Sequence, residues 1–141
     1  MKKGKMFLMI LIILAIGGAG AMFFLQKGEA EAGAEKPVSA EELTELSIDT
    51  DIITTNLASA EHFGVVQFNI LMSDKKAKEE IATRTAEVRA AIILTVAGFT
   101  KDELVGTEGI TSLEAALSLK LDDIIEAGKV DRVLVTELKV Q

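Results

Sequence analysis

Cysteine is absent from the 141 residues. That excludes disulfides, zinc-thiolate sites, iron–sulfur clusters, thiol nucleophiles and a lipidated amino-terminal cysteine. Tryptophan and tyrosine are absent as well, and three of the six phenylalanines (Phe7, Phe23 and Phe24) sit in one apolar segment. Stacking platforms for single-stranded nucleic acid or for sugars are therefore not expected. His62 is the single histidine, so no histidine cluster can hold a metal. No cofactor is expected. Proline occurs once, at Pro37.

What is present is strongly ordered along the chain. Met6 to Leu25 carries no charge, and 17 of its 20 residues are apolar. Twenty residues at about 1.5 Å rise span about 30 Å, the thickness of a bilayer's hydrocarbon core. Lys2, Lys3 and Lys5 precede this segment with no acid among them, which places the amino terminus in the cytoplasm and the rest of the chain outside it. Ala19-Gly20-Ala21 looks like a signal-peptide cleavage site. The apolar run continues through Met22 to Leu25, however, and exceeds the usual h-region of about 7–15 residues, so the expectation is a retained anchor. Gly17 and Ala21 lie four residues apart, as small residues do where spanning helices approach closely.

Residues 27–141 hold 12 basic and 22 acidic side chains. That balance repels phosphates and anionic headgroups and suits a soluble domain standing off a membrane. The organisation expected is a basic start at 1–5, a spanning helix at 6–25, an acidic linker at 26–46 and an extracytoplasmic domain at 47–141. Within the linker, Ser39-Ala40-Glu41-Glu42 fits a capping box, and Val38 and Leu43 are placed for a hydrophobic staple. A short helix from Ala40 to Leu46 follows, a segment able to order against a partner or a neighbouring copy.

In the domain, Ser47 to Leu57 has strand composition. Val65 to Met72 is a clearer strand, with Val66, Phe68, Ile70 and Met72 alternating on one face, and a hairpin would pair the two runs. The period then changes. Ser73 or Asp74 caps a helix to about Ala97, with Ala77, Ile81, Thr85, Val88, Ile92 and Val96 in its stripe. Thr100 to Glu103 is a second capping box opening a short helix through Leu104. A third helix is expected from about Glu108 to Glu126, burying Ile110, Leu113, Leu117, Leu121 and Ile124, with Gly128 as its stop. The last strand is Val130 to Val140, with Leu134, Thr136, Leu138 and Val140 on one face and Val133 and Val135 on the other. The order argues for an α+β domain, a small, mostly antiparallel sheet packed with helices.

Catalytic chemistry is hard to find. His62 has no orienting partner in the sequence, and a general base needs one. Glu79-Glu80 and Asp122-Asp123 are adjacent carboxylates, which on a helix do not face each other and read as solvated faces. Gly106-Thr107-Glu108-Gly109 lacks the lysine of a phosphate loop. Lys75, Lys76 and Lys78 break a local rule, crowding a helix start where the macrodipole disfavours cations. Glu79 and Glu80 offset part of this as a solvated turn, and the other reading is a basic spot that meets an acidic partner or a second copy.

The layout resembles the family of FliL, the flagellar basal body-associated protein. The matching features are the basic start, single span and acidic linker; Ile53-Thr54-Thr55-Asn56-Leu57-Ala58; and Ser73-Asp74-Lys75-Lys76-Ala77-Lys78-Glu79-Glu80-Ile81. Val88-Arg89 through Ile92-Ile93-Leu94, Thr107-Glu108-Gly109 and the ending Val133-Leu134-Val135-Thr136-Glu137-Leu138-Lys139-Val140-Gln141 also match. The family often has aromatics where this chain has Leu134, Val135 and Leu138. The resemblance implies a non-enzymatic, single-pass protein of the cytoplasmic (inner) membrane at the flagellar basal body, with an outer domain resembling the stomatin/prohibitin (SPFH) fold. It implies association with the stator proteins MotA and MotB, assembly into a ring that supports stator recruitment, stability or activation, and contact with other basal-body components. Contacts are expected at Gly17 and Ala21 in the span, at Val38 and Leu43 in the linker, at Lys75, Lys76 and Lys78, and at Thr136 and Glu137 on the last strand. A generic membrane-tethered binding module is the alternative, and it predicts an apolar pocket with convergent polar groups. A membrane-anchored hydrolase would require partners for His62.

Overall fold

The computed structural model describes residues 37–141. The expected spanning segment, with Gly17 and Ala21, lies outside the described residues. The folded unit is Ser39–Gln141. Its elements are α1 (Ala40–Leu46), β1 (Ser47–Asp49), β2 (Ile53–Asn56), β3 (Phe63–Met72), α2 (Lys75–Thr83), α3 (Thr85–Val96), a 3-10 turn (Asp102–Leu104), α4 (Gly106–Asp122) and β4 (Val130–Val140). Among the described residues no helix is long and apolar enough to cross a membrane. The α+β class and the antiparallel sheet match the sequence reading.

β3 is the centre of the sheet. Its residues 64–66 pair with both β2 and β4, and residues 69–71 with both β1 and β4, all antiparallel. β1 and β2 therefore share the edge opposite β4. They form two strands where the sequence suggested one, because the register slips between them: three steps along β3, from Asn69 to Val66, face four along the partner, from Asp49 to Ile53. One extra residue flips the side-chain parity. Ile48 and Ile53 consequently both face the helices, and Ile52 is left 56% exposed. At the slip Thr50 keeps the chain on β3: its N–H donates to the Phe68 carbonyl (2.9 Å) and its hydroxyl accepts the Phe68 N–H (3.1 Å).

The same device corrects the faces of β4. Gln67 pairs with Glu137 and Phe68 with Val135, so Thr136 has no cross-strand partner. Beyond that bulge the parity reverses. Val133 and Val135 point to the core before it, and Leu138 and Val140 pack against the core after it, while Leu134 and Thr136 face outward. The chain closes where Phe63 and Gln141 exchange two backbone hydrogen bonds of 2.9 Å.

The helix expected to run to Ala97 is two. Arg84, at φ −90 and ψ 38, ends α2 and begins α3. Thr83 and Thr85 flank it; β-branched residues are weak helix formers, and the Thr83 hydroxyl donates to the Glu80 carbonyl (2.8 Å). The break leaves Thr85 exposed rather than in the buried stripe. α4 starts two residues before the expected Glu108 and ends at Asp122 rather than Glu126. Beyond it the Ile124 and Ile125 N–H groups both donate to the Leu121 carbonyl (3.0 and 3.3 Å), and those of Glu126 and Ala127 leave the helix for a side chain described below. Ile124 and Ile125 pack against the core beyond the helix end. The core joins Val66, Phe68 and Ile70 of β3 to Ile81, Ile92, Leu113, Leu117 and Leu121, none more than 1% exposed.

Candidate interaction surfaces

α1 buries no residue. Its N-terminus is capped as its sequence implies, the Ser39 hydroxyl accepting the Glu42 N–H (3.2 Å). Its last turn carries no basic residue, so the final carbonyls need outside donors. Lys78 supplies them: its Nζ donates to the Glu45 carbonyl (2.7 Å) and the Thr44 carbonyl (3.5 Å), and Lys75 pairs with the Glu45 carboxylate (3.1 Å). The lysines that crowd the start of α2 thus meet the negative end of α1. Two of the three expected contact lysines are engaged within the chain, while Lys76 is exposed. Leu43 is half-buried on α1, and Val38 is 45% exposed. Replacing Lys78 with methionine should speed amide hydrogen exchange across Ala40–Leu46 and leave the global unfolding midpoint nearly unchanged; unchanged exchange there would show that the lysine does not hold α1.

α2 also holds the segment between α4 and β4. Asp74, not Ser73, is the cap: its carboxylate accepts the N–H groups of Lys76 (2.9 Å) and Ala77 (3.0 Å). The Ala77 hydrogen bond foremost, then that from the Ser73 hydroxyl, holds its carboxyl below the usual 3.8. Ser73 instead takes the Lys129 N–H on its hydroxyl (3.0 Å). Glu80, expected on a solvated face, accepts from the N–H groups of Ala127 (3.0 Å) and Glu126 (3.1 Å) and pairs with Arg84 (2.9 Å). Glu79 remains exposed. Arg84 reaches Glu87 (3.3 Å) and Glu126 (3.2 Å) as well. Asp122 accepts the Val130 N–H (2.7 Å). Gly128, at φ 72, completes the turn where a Cβ would lie 2.5 Å from an Asp74 carboxylate oxygen.

The Ala127 N–H, followed by the pull of Glu126 and Arg84 against burial, holds the Glu80 carboxyl below its ordinary 4.5. A carboxyl depressed by folding stabilises fully above its unfolded value and loses that effect as pH falls through its folded one. Glu80→Gln should therefore be less stable than the parent at pH 7, and the gap should narrow as pH falls below the ordinary 4.5 and on through the folded value. Urea midpoints of both proteins at neutral and acid pH measure this; a gap independent of pH would contradict it.

On β4 the bulge leaves Thr136 exposed, and Glu137, half-buried, pairs with Lys139. The Val135 N–H donates to Glu114 of α4 (2.9 Å), tying the helix to the strand beside the bulge. His62 closes the β2–β3 turn. Its carbonyl accepts the Leu57 N–H (2.9 Å), and its N–H donates to the Ser59 carbonyl (3.2 Å). It is half-buried, and no described residue hydrogen-bonds its Nδ1. The capping box at Thr100 forms: the Glu103 carboxylate accepts the Thr100 N–H (2.8 Å) and the Thr100 hydroxyl accepts the Glu103 N–H (3.3 Å). No three or more metal-ligating side chains cluster among the described residues.

One surface was not visible in the sequence. A groove of about 410 Å³ opens between the β1–β2 edge and α2–α3. Ile48, Ile53, Ile81, Val88 and Ile92 floor it, and Asp51 and Arg89 stand among its lining residues. The register slip lies on its edge-strand side, and its helix side carries residues on both sides of the break at Arg84, Ala82 of α2 and Thr85 of α3 among them. The slip is defined only against β3, distant in sequence, so no local signal announces the groove.

A small α+β domain with two bulged sheet edges, an electrostatically held amino-terminal helix and an open apolar groove has the form of a binding or assembly domain. The chain belongs to the FliL family: the model of the flagellar basal body-associated protein FliL matches residues 48–141. It is 29% identical over 141 residues to the flagellar protein FliL of Bacillus subtilis (strain 168), with the whole of both chains covered. The family assignment drawn from the sequence motifs is borne out, and the protein is a flagellar basal body-associated family member. The matched region begins inside β1 and takes in every strand and helix after α1.

Proposed function

We propose that this protein is a non-enzymatic accessory of the flagellar motor, anchored in the cytoplasmic membrane by residues 6–25, whose outer domain at 47–141 associates with the stator proteins MotA and MotB. The single observation that carries the proposal is the family match across the sheet and the helices that follow it. The domain adopts a stomatin/prohibitin-like arrangement, and copies assemble as a ring around the stator. Gly17 and Ala21 bring spanning helices together. Beyond the membrane, Val38 and Leu43 of the linker, Lys76 beside the lysines that hold α1, and Thr136 and Glu137 at the β4 bulge form the contact surface. Binding activates the stator only if it favours the extended, ion-conducting form of MotB over the plugged one, since equal affinity for both shifts nothing.

The chain has no cysteine of its own, so single substitutions give unambiguous cross-linking sites. Leu43→Cys or Lys76→Cys should cross-link to a cysteine in the extracytoplasmic segment of MotB in swimming cells. Ala115→Cys, on the exposed face of α4, should not. Absence of an adduct at both positions in motile cells would overturn the stator contact.

A further inference from the structure

The short helix α1 is held in place chiefly by charge. It buries no residue. At seven residues it is well below the length of about 12–15 at which an isolated helix is even marginal in water, so its helical state depends on what it leans on. Its carboxyl end leans on the lysine corner that opens α2. Lys78 donates to the Glu45 and Thr44 carbonyls, and Lys75 pairs with the Glu45 carboxylate. Lys75 and Glu45 are 73% and 63% exposed, so a competing anion can reach the pair. Lys76 is exposed beside them and makes no ion pair with a described residue. The corner therefore keeps positive charge that α1 does not use, at a helix start where the macrodipole already disfavours it. It also displays the chemistry it takes: carbonyl oxygens and a carboxylate at the end of a segment that carries Glu41, Glu42 and Glu45.

We infer that α1 is a releasable strap, and that the corner of Lys75, Lys76 and Lys78 is a docking site for an acidic segment of another protein, which displaces α1 when it binds. The incoming carboxylates engage all three ammonium groups, whereas α1 engages two. That difference in affinity is what shifts the strap, since a ligand that bound both states equally would shift nothing. Residues 27–141 hold 12 basic and 22 acidic side chains. A membrane surface, which presents negative charge over a wide area, is repelled by that excess of acid, while a short acidic segment meets the corner alone. Once released, the seven residues of α1 pass from about 1.5 Å to about 3.4 Å of rise each and add about 13 Å to the reach of the linker. The inference rests on the function proposed above only in that an anchored chain gives the added reach a consequence. The site and the release require no stator.

The test uses the full-length chain in nanodiscs of phosphatidylcholine with no stator protein present, so that failure of the stator proposal leaves it unaffected. Amide hydrogen exchange is followed with hexaglutamate or hexaglutamine added at equal ionic strength. Hexaglutamate should speed exchange across Ala40–Leu46 by roughly five-fold or more and leave β3 unchanged, and hexaglutamine should change neither. Lys76→Gln should exchange as the parent does without peptide, yet at the concentration that gives half the parent's maximal response it should at least halve that response. A lysine that merely supported the fold would not separate the two. Lys76 is exposed, and matching thermal midpoints verify that the variant is folded. Exchange at α1 indifferent to hexaglutamate, an equal response to hexaglutamine, or a full response in Lys76→Gln would each overturn the docking site. Release in phosphatidylglycerol discs with no peptide would overturn it too, by making the ligand a membrane surface.

Discussion

Gly109→Ala is expected to lower the thermal midpoint by roughly 10–20 °C, although alanine for glycine inside a helix ordinarily adds about 1 kcal/mol of stability. Gly109 is buried on α4, where that helix crosses the 3-10 turn. A Cβ there would lie 2.3 Å from the Glu103 carbonyl oxygen and 2.8 Å from the Leu104 backbone. Backbone atoms cannot rotate away as the end of a side chain can, so the turn or the helix must shift. Overpacking a core costs about 1–3 kcal/mol, and an obstacle of this kind belongs at the upper end. For a folded unit of about this size each kcal/mol moves the midpoint by about 4–8 °C. The sign is the informative part: an unchanged or raised midpoint would show that the turn does not pack against α4 as described. Ala115→Gly on the exposed face of the same helix should show the ordinary propensity effect, a loss of about 1 kcal/mol.

Phe68→Ala should be costlier still. Phe68 lies mid-way along the central strand, pairs with Val135 on one side and is held by Thr50 on the other. It is 0% exposed and heads the fully buried side chains by volume. Truncating a buried phenylalanine removes about 3–5 kcal/mol. Against a total of about 5–15 kcal/mol that is about a fifth of the stability or more. The urea midpoint should fall with little change in slope. In cells the protein level should drop several-fold and swimming with it, because a larger unfolded fraction is cleared. A loss under about 1 kcal/mol would contradict the central place given to β3.

These two residues also mark how much of the molecule its sequence discloses. Phe68 is legible, because Val66, Phe68 and Ile70 alternate with polar neighbours and the alternation alone assigns the buried face. The caps at Ser39 and Thr100 are equally legible, since each rests on residues three apart. Gly109 is not, because the obstacle comes from the turn preceding α4 and depends on how the two cross. The bulges at Thr50–Ile52 and at Thr136 are invisible for a related reason. An extra residue is extra only relative to the strand opposite, and no local spacing records it. That is why Leu138 and Val140, which alternation groups with Leu134 and Thr136, share the core side with Val133 and Val135 instead. Glu80 shows the limit for polar groups: its partners at Glu126 and Ala127 are 46 and 47 residues away, so it reads as one more acid on a helix. The three lysines read as a solvated turn or as a spot for an acidic partner or second copy, and neither reading names a segment of this chain, yet Lys75 and Lys78 meet one. The segment is the chain's own α1, which the same pattern had placed in the linker.

The domain thus has a fixed body from β1 onward and a helix held to it by Lys75 and Lys78, at the point where the linker joins. The central claim is that this arrangement serves the stator. An amino-terminal fluorescent fusion of the full chain, imaged in cells with labelled motors and with or without the stator genes, tests it most directly. The account predicts foci at the motors that fade when the stators are deleted and return when they are restored. A uniform membrane signal, indifferent to motors and stators alike, would contradict it.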